Sequence, residues 1–578
     1  MSAPHAACLR RFAAGLALAA VPAVASAQTP LGGAQELIRQ QERERQLRDR
    51  LEREPDVRLP DTELTDPSLP AAELPLVVGE TPCFPIDRLA LAGDGADAFR
   101  GALAALDRPD DAPTGRCLGA RAIGQIMARL QNRIVAGGFV TTRVLAEPQD
   151  LGSGLLTLTV VAGRIKAVRA AEGTELRVSL AAALPTAAGA HLNLRDLEQG
   201  LENLKRVPTA DADIQIAPAA DPLAGPGDSD LVVAWRQARP LRLNLSVDDS
   251  GTKATGRFLG GATLSVDNGV GLSDLFYASF NHDLGGGMAG SRGTRGYTVH
   301  YSVPWGYWLA GFTAGGNTYH QAVAGASQTY RYSGESEHAD LRLSRLLHRN
   351  ARGKTSAWVK AWMRQSNNFI DDTEVLVQRR RMGGWEAGFN HRAFIAASTL
   401  DLDLAYRRGT GAFASLPAPE EHFGEGTSRP GIWTASAQLN LPFRAGDQAL
   451  RYAGLARLQR SDTPLIPQDR FAIGGRYTVR GFDGETVLSG ERGWLWRNDL
   501  GLALRDTGAE AYVGIDVGAV SGRSTASLLG RRLAGGVLGV RGSAGSVGYD
   551  FFVGTPLSRP KNFASPDGLA GFSLNWAW

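Results

Sequence analysis

From Leu241 onward apolar and polar residues alternate one for one in short runs. Leu241, Leu243, Leu245 and Val247 fall on one face, and Arg242, Asn244, Ser246 and Asp248 on the other. A period of two, not 3.6, belongs to an extended strand whose faces meet different surroundings. The pattern returns at residues 274–282, 297–305, 339–348, 358–365, 399–407, 433–443 and 451–460, and last at Phe572-Ser573-Leu574-Asn575-Trp576-Ala577-Trp578. About 16 such runs fit, one per roughly 21 residues, which is the even count and spacing of a single-chain transmembrane barrel. Lipid would meet the apolar faces and a polar lumen the others, with neighbouring strands satisfying the backbone. Trp305, Tyr307, Trp308, Trp494 and Trp496 lie near strand ends, where interfacial aromatic girdles form. A soluble β-sandwich is the alternative reading.

The N-terminal end favours the barrel. Arg10 and Arg11 precede an apolar run, residues 12–24, and then Ala25-Ser26-Ala27, so residues 1–27 read as a secretory signal peptide. That run of roughly 13 residues falls short of the ~20 a membrane helix needs, and no later segment is longer. An exported chain without membrane helices is either periplasmic or an outer-membrane barrel. With 70 Gly and 5 Met, the composition suits strands and turns. A net charge of +3 on 578 residues points to neither nucleic acid nor an acidic partner. Cys8 leaves with the signal, so Cys83 and Cys117 remain as an even pair in an oxidising compartment. A disulfide between them would close a loop of roughly 33 residues, worth about 3 to 4 kcal/mol on the chain-entropy model; two unpaired thiols are the other reading.

Between signal and barrel the pattern changes three times. Residues 31–54 are dense in Glu, Gln and Arg, with only Leu37, Ile38, Leu47 and Leu51 apolar. A helix polar on nearly every side sits in water, as a tether or as a removable plug in a wet cavity. Residues 55–82 carry prolines at 55, 60, 67, 70, 75 and 82 and form an extended linker. Residues 83–163 and 164–239 then repeat the order strand, helix, helix, strand, strand. The first unit is read as a strand at 86–91, a helix with Ile123, Ile126, Met127, Leu130 and Ile134 on one face, and strands at 140–145 and 155–161. The second is read as a strand at 165–169, helices at 175–183 and after an Asn193 cap, and strands at 212–217 and 230–235.

Cys83-Phe84-Pro85-Ile86, Cys117-Leu118, Gly138-Phe139-Val140-Thr141-Thr142-Arg143-Val144 and the stretch from Leu155 to Ile165 resemble the first POTRA domain of two-partner secretion transporters, the haemolysin secretion/activation family. The resemblance implies two periplasmic α+β POTRA domains followed by an all-β, 16-stranded antiparallel transmembrane barrel at residues 240–578.

Within that barrel, residues 461–491 are too long for a tight turn and carry Val479-Arg480-Gly481-Phe482. One Arg among Gly475, Gly481 and Gly484 suits a loop folded into the lumen, where it would need a carboxylate partner. Asp516, alone in the apolar, glycine-flanked Gly514-Ile515-Asp516-Val517-Gly518, offers one. The pair resembles the lumen-loop and barrel-wall motifs of the Omp85 superfamily. Arg379, Arg380 and Arg381 near Asp371 and Asp372 read either as a solvated hairpin or as part of a polar conduit.

Catalytic readings fail. Residues 285–290 match a dinucleotide fingerprint in letters only, because they join two barrel strands. Near Lys354-Thr355, His348 occupies the first glycine position that a phosphate loop requires. Neither a nucleophile elbow nor a metal-binding His pair is present, so no cofactor, metal or nucleic acid is expected. The resemblance implies an outer-membrane pore that passes one large partner exoprotein (adhesin, haemolysin or contact-dependent toxin) in unfolded form. It also implies surrounding outer-membrane lipids, and a barrel assembly machinery that reads Phe572, Trp576 and Trp578 as its signal. An outer-membrane protein insertase is the alternative within the superfamily.

Overall fold

The computed structural model describes residues 33–58, 74–107, 110–504 and 507–578; the signal segment and linker residues 59–73 lie outside them. Helix α1 (Gly33–Leu51) comes first. The first α+β unit follows, with the parallel pair Arg88–Ala92 and Leu155–Val161 and a third strand, Arg143–Leu145. Helix α2 (Ala120–Ala136) covers this sheet with Ala122, Ile126, Leu130 and Ile134, one fully buried face at helical spacing.

The strand read at 86–91 is broken at Asp87. Ile86 pairs with Arg116 in a separate two-stranded ribbon, while the Asp87 amide donates to Gly154 O and turns the chain into the main sheet. The strand read at 140–145 shortens to Arg143–Leu145, because the Gln131 side chain donates to Thr142 O and accepts from Val144 N where a ladder would begin.

The second unit orders its strands Arg164–Ala170, Asp228–Gln237 and Ala210–Pro218, leaving Ala210–Pro218 at an edge. Helix α3 (Leu194–Leu204) is capped by Asn193, whose side chain accepts from Arg195 N, and buries Leu194, Leu197, Leu201 and Leu204. The helix read at 175–183 is only the turn Leu180–Ala183, since the Ser179 hydroxyl accepts from Ala182 N and starts it late. Two aromatic side chains of the first unit, Phe99 and Phe139, enclose His191 of the second, and Arg164 bridges to Asp94 at 2.9 Å.

Among the described residues 16 long strands close the barrel, every neighbouring pair antiparallel. They are β1 (Leu241–Asp248), β2 (Phe258–Asp267), β3 (Leu275–Gly285), β4 (Gly293–Trp305), β5 (Trp308–Ala324), β6 (Thr329–Asn350), β7 (Gly353–Ile370), β8 (Arg380–Ile395), β9 (Ser398–Thr410), β10 (Gly431–Ala445), β11 (Gln448–Ser461), β12 (Arg492–Leu504), β13 (Ala509–Ser521), β14 (Arg532–Ala544), β15 (Val547–Ser558) and β16 (Leu569–Ala577). The apolar series in β1 faces outward in register with the outward residues of both neighbours, as in Leu245 opposite Ala262 and Trp576. Trp578 N and O each bond to Leu243 beyond the end of β16, completing the seam.

Tyr307 is not a girdle residue. Its hydroxyl donates to Asp196 of the second unit, fastening that unit to the barrel mouth beside the Asn203 bond to Gly306 O. Arg349 enters the same junction between Glu198 and Glu202, at 2.9 Å from each.

Candidate functional site

The connection after β11 turns back into the lumen and is fastened to opposite walls. Near its start Leu465 and Ile466 are buried, Ile466 against Trp362, Met382 and Ala418, and Asp469 accepts from Arg364 at 2.6 Å. A small hairpin, Phe471–Ile473 with Leu488–Gly490, then presents the tip.

At that tip Arg480 meets Asp516 three times. Its backbone N donates to Asp516 Oδ2 at 3.0 Å, its Nε to the same oxygen at 2.6 Å, and its Nη2 to Oδ1 at 2.8 Å. Nη2 also donates to Asp499 Oδ1 at 2.5 Å, and Arg541 holds the other Asp499 oxygen at 3.1 Å. Asp516 is fully buried, and this carboxylate is tolerated because the Arg480 guanidinium neutralises it in place, the Arg480 amide adds a hydrogen bond, and Arg497 stands 3.8 Å away.

Glycines make room for the loop. A Cβ on Gly535 would lie 1.8 Å from Arg480 O, and one on Gly514 would lie 2.7 Å from Arg480 Nη2. Gly481 has φ of +90°, and a side chain there would strike Thr555 O. Gly518 lets Val479 approach the wall. Val479 and Phe482 are buried with Ile473, Leu488, Leu495, Val520, Leu533 and Phe563, and Phe482 meets Phe563 edge to face at 5.8 Å.

Helix α1 lies along the lumen. Nineteen residues at about 1.5 Å each give roughly 28 Å, close to the hydrocarbon thickness of a bilayer. Its contacts with the wall and loop are largely polar: Arg457 with Glu42 at 2.8 Å, Thr255 with Glu36 at 3.4 Å, Arg48 with Asp340 at 3.7 Å, Arg50 with Asn575 at 2.6 Å, and Arg39 with Gly484 O on the lumen loop. Leu47 and Leu51 pack partly buried near the domain end. Beyond the helix Asp56 pairs with Arg392 at 2.6 Å and Lys354 at 3.3 Å at the barrel mouth.

Cys83 and Cys117 are disulfide-bonded, joining the two strands of the small ribbon in the first unit. Phe572 and Trp576 face outward on β16. Of the arginine triplet, Arg379 pairs with Glu374 inside its own far-end connection, Arg380 pairs with Glu420 and locks that connection to the next, and Arg381 is exposed. Asp499, Asp469, Arg364 and Arg541 were not singled out from the sequence. Each looks like an ordinary lumen-facing position of a strand or loop, and only the landing point of the loop sets it apart.

A family model described as haemolysin secretion/activation protein ShlB/FhaC/HecB matches residues 227–542, a ShlB-type POTRA domain matches 84–163, and a further POTRA domain matches 164–218. The chain belongs to the haemolysin secretion/activation family. It is 38% identical over 515 residues to the outer membrane transporter CdiB-2 of Burkholderia pseudomallei, covering 86% of this chain and 87% of that one. It is 24% identical to the hemolysin transporter protein ShlB of Serratia marcescens, covering 70% of this chain and 71% of the other. The solved structure of CdiB from Acinetobacter baumannii superposes with a TM-score of 0.83 at 31% identity, over 95% of this chain and all of that one. As a member of this family the chain is an outer-membrane two-partner secretion transporter with periplasmic POTRA domains. The domain end of the barrel is therefore periplasmic, and the connection carrying Arg480 starts from the extracellular end.

Proposed function

We propose that the partner exoprotein crosses as an unfolded chain through the lumen that α1 occupies at rest. The observation that carries this reading is the polar seating of the helix: water or a passing polypeptide can replace nearly every bond it makes, and the linker after it is long enough to let it leave. The POTRA edge strand Ala210–Pro218 offers main-chain groups on which an extended segment can pair before entry. The lumen loop, held by Arg480 on Asp516, is the fixed wall past which the chain moves. Nothing in the transport step calls for catalysis, and folding of the partner outside gives direction. The barrel assembly machinery and outer-membrane lipids complete the set of partners, with the terminal aromatic residues as the assembly signal.

Two experiments test the reading. Culture supernatants with and without this chain should differ by one large polypeptide, which names the partner; identical supernatants would contradict secretion. In planar bilayers, deletion of residues 31–54 should raise single-channel conductance; unchanged conductance would contradict the plug.

A further inference from the structure

The barrel's arginines divide by face. Toward the lumen many are matched, as with Arg407 and Glu386 or Arg541 and Glu510. On the outward face of β9 to β12, at the extracellular end, three are exposed: Arg408, Arg460 and Arg492. Among the described residues Arg408 and Arg492 have no ion-pair partner, and Arg460 reaches only Asp462, 3.9 Å away and itself 55% exposed. The acidic residues of β8 to β14 (Glu386, Asp401, Asp403, Asp499, Glu510 and Asp516) all occupy lumen-facing positions. The outward positive charge is therefore not cancelled by the wall that carries it.

These arginines stand at the boundary between water and lipid. Among them Tyr406 lies 4.7 Å from Trp433 and 5.7 Å from Trp385, ring to ring, with Trp385 opposite Arg408 and Trp433 opposite Arg460 in the ladder, an aromatic level of the kind that marks a membrane interface. Farther down, Phe389, Leu404 and Leu458 are exposed to the bilayer. At the centre the Tyr406 hydroxyl and the Arg408 guanidinium close over the buried Gly431: a Cβ there would lie 3.0 Å from Tyr406 Oη and 3.3 Å from Arg408 Nη1. A phenol and a guanidinium thus stand side by side on the outward face, two donors for one anionic group. From β9 to β12 is three strand spacings, about 14 Å, wider than a single phosphodiester can bridge.

We propose that Arg408, Arg460 and Arg492, with the Tyr406 hydroxyl beside Arg408, bind the phosphates of an outer-leaflet glycolipid that carries two separated phosphate groups on its sugar head. Its acyl chains lie along Phe389, Leu404 and Leu458. The site faces away from the lumen and takes no part in conduction.

Native mass spectrometry of the full-length chain in detergent tests this with three probes: diphosphorylated lipid A, the same lipid stripped of both phosphates, and phosphatidylglycerol. Only the first should remain bound at low concentration. Replacing all three arginines by glutamine should weaken it roughly a hundredfold, since an arginine beside an anionic lipid head contributes about a factor of five. Replacement by lysine should keep most of the binding. Equal retention of the stripped lipid or of phosphatidylglycerol would overturn the proposal, as would unchanged affinity in the glutamine variant. The comparison of probes on the unsubstituted protein decides the matter even if that variant fails to fold.

Discussion

Arg480 and Asp516 are joined through the backbone as well as the side chain, because one carboxylate oxygen accepts from both N and Nε of the same arginine. The loop's position is thereby specified at two points on one residue. The second carboxylate on the guanidinium, Asp499, makes a single bond to it and is partly held by Arg541. Exchanging the two charges, Arg480→Glu together with Asp516→Arg, would set a new carboxylate on the loop against Asp499 and should restore little.

Removing the buried partner should matter more than removing the shared one. Asp516→Asn is expected to destabilise the loop's seat by about 3 to 5 kcal/mol, leaving Arg480 buried beside one carboxylate instead of two. Asp499→Asn should cost less, because Arg480 keeps its three bonds to Asp516. Protease protection of residues 462–491 in intact cells measures both, and equal exposure in the two variants would contradict this ranking.

Gly535→Ala should mimic loss of the arginine. The added methyl would occupy the space of Arg480 O, a backbone atom that cannot step aside without lifting the tip. The variant should assemble to a normal level yet show the loop exposure and secretion defect of Arg480→Ala. Wild-type protection would show that the wall tolerates the methyl.

The junction between the POTRA domains should weaken in mild acid. Burial and then the nearby Arg164 guanidinium push the His191 imidazole below its ordinary value of about 6.5, against a smaller opposing pull from Asp94. The unfolded chain therefore takes up a proton before the folded one does, so the junction is at full strength above about pH 6.5 and loses stability as pH falls below that. Protection from hydrogen exchange at residues 137–139 and 190–194, taken relative to the intrinsic rate at each pH, should fall between about pH 7.5 and 5.5, and His191→Phe should flatten the profile. A profile that is the same in both proteins would assign the effect to another group.

Trp578 has two separable roles. Its backbone closes the seam with Leu243, and its ring lies 5.8 Å beneath the Arg239 guanidinium. Trp578→Ala keeps the backbone bonds, so abundance in the outer membrane should fall while secretion per assembled pore is unchanged. Normal abundance would remove the aromatic from the assembly signal.

Much of this architecture is legible in the chain because a barrel wall imposes its period on every strand. Arg480 and Asp516 could also be read, as charges isolated among glycines or in an apolar strand where solvation is costly. Asp499 could not, since it sits in ordinary alternation beside Asn498. Arg364 and Asp469 are 105 residues apart and meet only because the loop crosses the lumen. Helix α1 was legible as polar all round, but that same lack of an apolar face left its partners, Arg457 and Asp340 among them, without any signal. Tyr307 looked interfacial because it neighbours Trp305 and Trp308, and only the docking of α3 turns it toward Asp196.

The most direct test fastens the helix to the wall. Glu42 and Arg457, bonded at 2.8 Å, can be replaced by cysteines and joined with a short bis-maleimide in intact cells. If the partner passes through the space that α1 vacates, the joined pore should assemble normally and secrete nothing, whereas each single-cysteine protein given the same reagent should secrete as before. Undiminished secretion by the joined pore would contradict that route.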